Sequence, residues 1–391
     1  MRFEGIIISG TSCAGKSTIV KELCSIDGTD EKFTQVRAVT TRAVRDDDTI
    51  YEYVSDEEFE KLRIGEELLV SSSYRDKWYG IKQKEFEEVI GKKEIPIIVI
   101  TPESASNLIK EHPGLMCFFI DADDDNLLER HNKRDGAFPD DDLKKAFENQ
   151  RKKDREFSNV AHYILENNDA HLCAELIMDL WHLQKQGGGV PQQLICKMIK
   201  CGMLLENADL TGIKGASYDL RLGDEYYYGG EIRRLSEEKP FLTVEPYDYA
   251  IVSCQETANI PRDIIAKFGL SVGLFCQGII LSNGPQIDPG FRGTLFCLLF
   301  NTSNRAVHIK RRQHYATIEF NKLLDFAEPY AGKYQDRRRI IDYIPANALY
   351  GAINELKKEI EKLRNESHLM QNIYLGVVAL MFTIISLLLV R

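Results

Sequence analysis

The chain has 391 residues, 43% hydrophobic and 28% charged, enough for two or three domains with ordinary apolar cores. A formal net charge of −10 argues against non-specific nucleic-acid binding as its main business. Nine scattered cysteines, with Cys196 and Cys201 the closest pair, lack CxxC spacing, and the eight histidines do not cluster with them. That pattern speaks for reduced, mostly buried thiols in a cytoplasmic setting and against a zinc site.

Residues 1–185 alternate short apolar runs with helical patterns, which predicts a parallel α/β sheet with strands at Gly5–Ser9, Ile95–Ile100 and Met116–Asp121. Met1-Arg2-Phe3-Glu4 leads straight into the first of these runs, so no signal peptide is expected. The run is followed by GTSCAGKST, Gly10 to Thr18, which fits GxxxxGK followed by Ser or Thr between a strand and a helix. Gly10 and Gly15 let the backbone curl so that successive N–H groups face a phosphate, and the helix N-terminus adds positive potential. Lys16 can neutralise a transferred phosphate, and Ser17 can hold Mg²⁺. The acidic run Asp121–Asp125 is read as a solvated loop that starts a helix.

Downstream come VRAVTTRAVR, IYEYVSDEEFEKL, KWYG, LLERHNKRD and YILENND, in that order. Together with the phosphate loop, they resemble the guanylate kinase family over nearly all of residues 1–185. The resemblance implies an ATP- and Mg²⁺-dependent kinase, with ATP held by Gly10, Gly15, Lys16, Ser17, Thr18 and Asn167 or Asn168. It puts Arg42, Arg45, Tyr51 and Tyr79 on the acceptor's phosphate, a grip that suits a guanidinium fork. Arg130 and Arg134, with Arg151 further on, fall near the family's mobile lid, so Lys16, Arg130 and Arg134 are the expected catalytic set. The family's guanine-reading positions carry Ala38, Val70, Ile81, Val99 and Thr101 here. A guanine without polar partners loses discrimination, so the expected acceptor is another nucleoside monophosphate or a phosphorylated sugar.

QGGGVP, 186–191, reads as a flexible linker. Residues 192–329 open with an amphipathic helix through Leu194, Ile195, Met198 and Ile199, then pass into short β-rich runs broken by Gly, Pro and Asn. GASYDLRLG, then GIILSNGPQIDPGFRGTLFCLLFN and IKRRQHYATIEF, resemble the dUTPase and dCTP deaminase superfamily over about 192–322. That resemblance implies a small distorted barrel or jelly roll that trimerises, and a second nucleotide pocket from Asp219, Ser271, Asn283, Asp288 and Phe291. Asp before Pro-Gly is also a common turn device that needs no ligand. Gly269 stands where the family has a phosphate-binding arginine, which leaves Lys267, Arg292 and Arg305 as alternative contacts. Leu298 stands where deaminases carry a glutamate, so deamination is expected to be unlikely.

A basic connector, 330–347, leads to a heptad array over 348–372, with Leu349, Ile353, Leu356, Ile360, Leu363 and Met370 on its seam, a coiled-coil pattern. Residues 373–390 are uncharged and about 27 Å long as a helix, near the lower limit for a membrane span. Lys357, Lys358, Lys362 and Arg364 precede this run, which predicts a single-pass anchor with the domains facing the cytoplasm. The chain is thus expected to be a membrane-anchored, trimeric nucleotide-metabolism protein with a kinase domain and a degenerate pyrimidine-binding domain. Its partners would be nucleotides or phosphorylated small molecules, the membrane and its own copies, with no nucleic acid. A non-catalytic nucleotide sensor at the membrane is the alternative, and a dUTP or dCTP hydrolase the third.

Overall fold

The computed structural model describes residues 3–26, 31–44, 50–74, 76–284, 286–344 and 352–389. It begins with β1 (Gly5–Gly10) and α1 (Lys16–Ser25), then β2 (Phe33–Gln35), β3 (Ala38–Thr40), β4 (Tyr51–Tyr53), α2 (Asp56–Ile64), β5 (Leu68–Tyr74) and β6 (Lys77–Lys82). There follow α3 (Gln83–Gly91), β7 (Ile95–Val99), α4 (Pro102–Glu111), β8 (Leu115–Asp121), α5 (Asp124–Asp135), α6 (Asp141–Glu156), β9 (Tyr163–Glu166) and α7 (Ala170–His182). A parallel sheet runs β2-β7-β1-β8-β9, and a smaller sheet runs β4-β3-β6-β5. Strand β1 is central and buried throughout, with Ile6 and Ile8 in one apolar cluster and Ile7 in another. That is why its sequence is an unbroken apolar run and does not alternate. Side-chain caps from Ser55, Thr101, Asp123, Asp140 and Asp169 start α2, α4, α5, α6 and α7. Helix α1 has no such cap, and Gly15 enters it at φ 88°.

The second module contains β10 (Gly188–Gly189), α8 (Gln192–Lys200), β11 (Leu204–Glu206), β12 (Ser217–Tyr228), β13 (Glu231–Arg234), β14 (Phe241–Val244) and β15 (Tyr249–Asn259). It continues with β16 (Ile264–Leu270), α9 (Val272–Phe275), β17 (Ile279–Ser282), β18 (Arg292–Asn301), β19 (Val307–Lys310) and β20 (His314–Lys322). Its main sheet runs β10-β20-β12-β15-β18-β17, with β11 on β15, β13 on β12 and β16 on β20. The glycines of the linker stretch form β10, pairing Gly188 with Lys322 and Gly189 with Asn321.

The two modules share one apolar cluster. At their junction the Tyr163 hydroxyl donates to Asp263 Oδ2 at 2.5 Å, and Lys322 Nζ lies 2.8 Å from the same oxygen. All three residues are buried. Phe326 packs edge-on against Phe3, His162 and Tyr163. Burial, with Arg262 adding to it, pushes His162 down to about 4, so this aromatic cluster is neutral at ordinary pH.

The C-terminal expectations need correction. In place of a coiled-coil segment and a separate span there is one helix, α10 (Ala352–Leu389). Of the seam positions, Leu349 lies outside the described residues, and Ile360, Leu363 and Met370 are exposed. Among the described residues no helix is long and apolar enough to cross a membrane, so neither the anchor nor the membrane location is supported. The expectation failed because the uncharged run was read by itself, already near the short limit for a span. In the fold it continues a helix that carries Glu359, Glu361, Lys362, Arg364 and Glu366.

Replacing Lys322 by Met removes the ammonium paired with the buried Asp263. Urea denaturation is expected to show a loss of about 3–5 kcal/mol, with partial recovery in the Asp263→Asn Lys322→Met double variant.

Candidate functional site

The first site forms where β1 gives way to α1. Gly10 has φ 136°, and a Cβ there would lie 1.9 Å from Ile120 O. Gly15 is equally constrained, since its Cβ would lie 2.4 Å from Asn167 Nδ2. With no side chain capping α1, its first amides are available to an anion. Lys16 Nζ donates to Gly10 O at 2.8 Å and Thr11 O at 2.7 Å, folded back over the loop. Desolvation lowers its pKa to about 8, a shift that Asp154 partly offsets. Thr11 Oγ1 donates to Asp121 Oδ1 at 2.9 Å, and Arg155 Nε binds Asp121 Oδ2 at 2.7 Å, so the acidic run braces the loop from below.

Lys16 opens onto a pocket of about 330 Å³ shared with Arg42, Tyr51, Tyr79 and Arg134. Arg42 lies over the Tyr51 ring at 4.8 Å and donates to the Tyr53 hydroxyl at 3.3 Å. Tyr51 and Tyr79 meet edge to face at 6.3 Å. Arg134 also pairs with Asp135 at 2.6 Å. Arg45 lies outside the described residues. Arg130 is placed behind the loop, where it donates to Asn167 O at 2.7 Å and Ala14 O at 3.4 Å. Asn167 Nδ2 donates to Ala14 O at 2.7 Å. Ser17 and Thr18 stand exposed at the first turn of α1. Arg151 is buried against Phe147 and paired with Asp124 at 3.1 Å, away from the pocket.

Of the altered guanine-reading positions, Val99 and Thr101 line the pocket. Thr101 Oγ1 also caps α4. Ala38 and Ile81 are buried in the apolar cluster beneath, with Val70 packed on it. Ser72, Lys77 and Asp154 line the pocket too and were not found from sequence. The Lys77 and Ser72 signal lay in the β5–β6 hairpin just before the recognised Tyr-Gly pair. Asp154 sat in a charged helix with nothing to single it out.

The second site is a pocket of about 260 Å³ beside the β17–β18 hairpin. Asn283, Asp288 and Phe291 line it. Asn283 Nδ2 ties the hairpin to Phe268 O at 2.9 Å. The Asp-Pro-Gly turn is closed by main chain, Phe291 N to Asp288 O at 3.1 Å, while Gln286 Nε2 donates to Asp288 Oδ1 at 3.1 Å. Asp219 and Ser271 are not brought to this pocket. Asp219 on β12 accepts from Thr317 Oγ1 at 2.9 Å, and Thr317 pairs in register with Gly269. Ser271 follows β16, with its N–H on Tyr315 O at 2.9 Å. Leu298 is half-buried in β18, paired with Ile251 and Ser282.

The guanylate kinase family matches residues 2–181. A guanylate kinase of Mycoplasma mycoides subsp. mycoides is 27% identical over 183 residues, 46% of this chain and 60% of that protein. The dCTP deaminase-like family matches residues 190–323. A dCTP deaminase of Thermococcus kodakarensis is 33% identical over 143 residues, 36% of this chain and 91% of that protein. One of Pyrococcus horikoshii is 30% identical over 144 residues, 37% of this chain and 91% of that protein. Through its second module the chain belongs to the dCTP deaminase-like family.

This membership corrects the expectation against deamination, which rested on Leu298 alone. Kinship with dCTP deaminases over nearly their whole length, beside a guanylate-kinase-like module, speaks for catalytic activity in both halves. It also speaks against reading the second module as degenerate, and no helix among the described residues supports a membrane sensor. The expected trimer likewise finds no support among the described residues. A guanylate-kinase-like module implies ATP and Mg²⁺ use in general. The dCTP deaminase-like pocket also includes Lys267, one of the alternative contacts named from the sequence, and Gln286, Tyr330, Tyr334 and Tyr343, which sequence reasoning missed as pocket residues. The three tyrosines come from a stretch whose run of arginines had marked it only as a basic connector.

A phosphate drawn to Lys16 raises the lysine's pKa again, so ATP binding takes up protons from about pH 8, where the side chain titrates in the ligand-free fold, upward. Calorimetry in buffers of different ionisation enthalpy is expected to show that uptake, with affinity falling as pH rises through about 8.

Proposed function

We propose that the chain is a two-module nucleotide-metabolism enzyme. Its first module transfers a phosphoryl group from ATP to a small phosphate ester, and its second acts on a deoxycytidine nucleotide. The observation that carries the first half is the convergence of Lys16, Arg42, Tyr51, Tyr79 and Arg134 on one pocket at an uncapped helix N-terminus. Arg42 and the two tyrosines hold the acceptor's phosphate. Lys16 and Arg134 offset the charge that develops on the transferring phosphoryl group. The loop amides and Thr18 hold ATP, and Ser17 is the residue suited to Mg²⁺. Mg²⁺ would screen the phosphate oxygens when bound. Asn167 and Arg130 act from behind by fixing Ala14 and with it the loop.

The reading of the second module rests on its family membership and on the carboxylate of Asp288 lining an aromatic pocket. Asp288 is the carboxylate there that can accept a proton from an attacking water, with Asn283 and Phe291 placing the sugar and ring.

Two assays test these halves separately. ATP consumption against a panel of nucleoside monophosphates and phosphorylated pentoses is expected to reveal an acceptor. Arg42→Ala should then raise the acceptor KM by about 10- to 100-fold, the loss of one charge-assisted contact. No turnover above a Lys16→Ala control with any acceptor overturns the kinase reading. Ammonia release from dCTP is expected to fall at least 100-fold in Asp288→Asn, with the kinase assay unchanged. No ammonia release by the wild type overturns the second reading and leaves the first standing.

A further inference from the structure

We propose that the cavity where the two modules meet, walled by Arg262, His162 and Asn159, is a binding site for a phosphorylated small molecule, separate from both sites described above.

The cavity measures about 450 Å³ and takes a wall from each part of the chain that meets there. The first module contributes Ser158 and Asn159, from the short 3-10 helix Phe157–Val160, and His162 just before β9. The second contributes Met203 and the loop Ile260, Pro261 and Arg262. Pro329, Tyr330 and Asp336 close it from the stretch that follows. Lys16 and Asp288, which mark the other two pockets, do not line it. Because its walls come from both modules, the site exists only where they are joined.

Its polar lining is rich in donors. His162 is neutral, and its Nδ1 accepts from Cys117 N–H at 2.9 Å, so the ring carries its proton on Nε2. Arg262 gives its Nε to a carbonyl, Ala327 O at 3.2 Å, and not to a carboxylate. The carboxylate next to it in the chain, Asp263, is already met by Tyr163 and Lys322. Arg292 also lines the cavity, but it is paired with Asp336, so those two charges offset each other. Arg262 is left as the net charge of the lining. His162 senses it: burial is the main cause of its lowered pKa, and Arg262 adds to the effect against Asp325.

An oxyanion satisfies this set, with Arg262 as the charged partner and His162, Ser158 and Asn159 as neutral donors. A tetrahedral phosphoryl group, with three acceptor oxygens, engages more of these donors than a planar carboxylate does. The remaining lining, Met203, Ile260, Pro261, Pro329 and the Tyr330 ring, suits an organic group attached to the phosphate. The volume leaves room for one the size of a sugar or nucleoside. The loop that carries Arg262 is also tied to the Asp288 hairpin, Ile260 N–H donating to Phe291 O at 2.9 Å and Gly290 N–H to Pro261 O at 3.3 Å. The ligand therefore sits between the first module and the back of that hairpin.

The test is calorimetry on the full chain carrying Lys16→Ala and Asp288→Asn, which cripple the other two sites. The probes are ribose 5-phosphate, dCMP, AMP, inorganic phosphate and, as a carboxylate control, citrate. At least one phosphate ester is expected to bind. Adding Arg262→Gln is expected to weaken that binding by about 10- to 100-fold, the loss of one charge-assisted contact. Asn159→Asp, an exposed position in the first module where a new carboxylate repels the anion without disturbing the hairpin, is expected to weaken it as well. Binding that neither added substitution weakens overturns the inference, as does the absence of binding by any phosphate compound. Binding of citrate in place of every phosphate compound overturns the assignment to a phosphoryl group.

Discussion

The side-chain amide of Asn167, donating to Ala14 O, holds the phosphate loop against the end of the parallel sheet. Much of the rest follows from that contact. Gly15 must lack a side chain because the amide occupies its Cβ position. Arg130 clasps both partners from outside, binding the Asn167 and Ala14 carbonyls. One residue earlier, Glu166 N–H donates to Cys201 O at 2.9 Å, at the C-terminal end of α8 in the second module. The strand that fixes the loop is therefore also the strand on which the second module is seated. Tyr163, at its other end, reaches Asp263 across the same seam.

The two pockets differ in the balance of their charges, and that divides the work between them. The first gathers Lys16, Arg42, Lys77 and Arg134 against Asp154. Burying the Lys16 ammonium in this cleft costs free energy when the cleft is empty, and its lowered pKa registers that desolvation, which Asp154 partly offsets. A phosphate relieves it, so anion binding and lysine protonation favour each other. In the second pocket the lining charges cancel and rings dominate. Dispersion and stacking then outweigh Coulomb attraction, and recognition falls on the flat face of a ligand. The same kind of compound could meet either pocket, the first through its phosphate and the second through its base.

Local chemistry was readable in the sequence where one short segment carries it whole. GTSCAGKST specifies its own turn, helix start and cation, and the isoleucine run of β1 announces a strand buried on both faces. Positions defined by distant partners were not readable. Arg130 has a kinase-lid address in the sequence, yet in the fold its guanidinium is spent on two backbone carbonyls. Asp121 looked like part of a solvated acidic loop, but Thr11 and Arg155 converge on it from 110 and 34 residues away. The heptads and apolar run after residue 348 were misread for a related reason. Periodicity and hydropathy describe one helix face or one window, whereas spanning a membrane is a property of a whole helix and its charges.

The glycines of GPQIDPGFRGTL carry the same lesson in reverse. As a motif they read as turn residues, and Gly290 does hold a left-handed conformation. Gly293 does not, yet it is as tightly constrained, because Tyr343 and Arg337 O occupy the space beside it. Both residues belong to a hairpin whose far side is covered by chain some 40 residues later. That chain leaves the Phe326 cluster at the module junction, crosses the hairpin, and ends on Glu225 of β12. A pocket wall tied at one end to the junction and at the other to the main sheet cannot shift without disturbing one or the other. The stiffness of the second site thus comes from the packing between the modules as much as from its own strands.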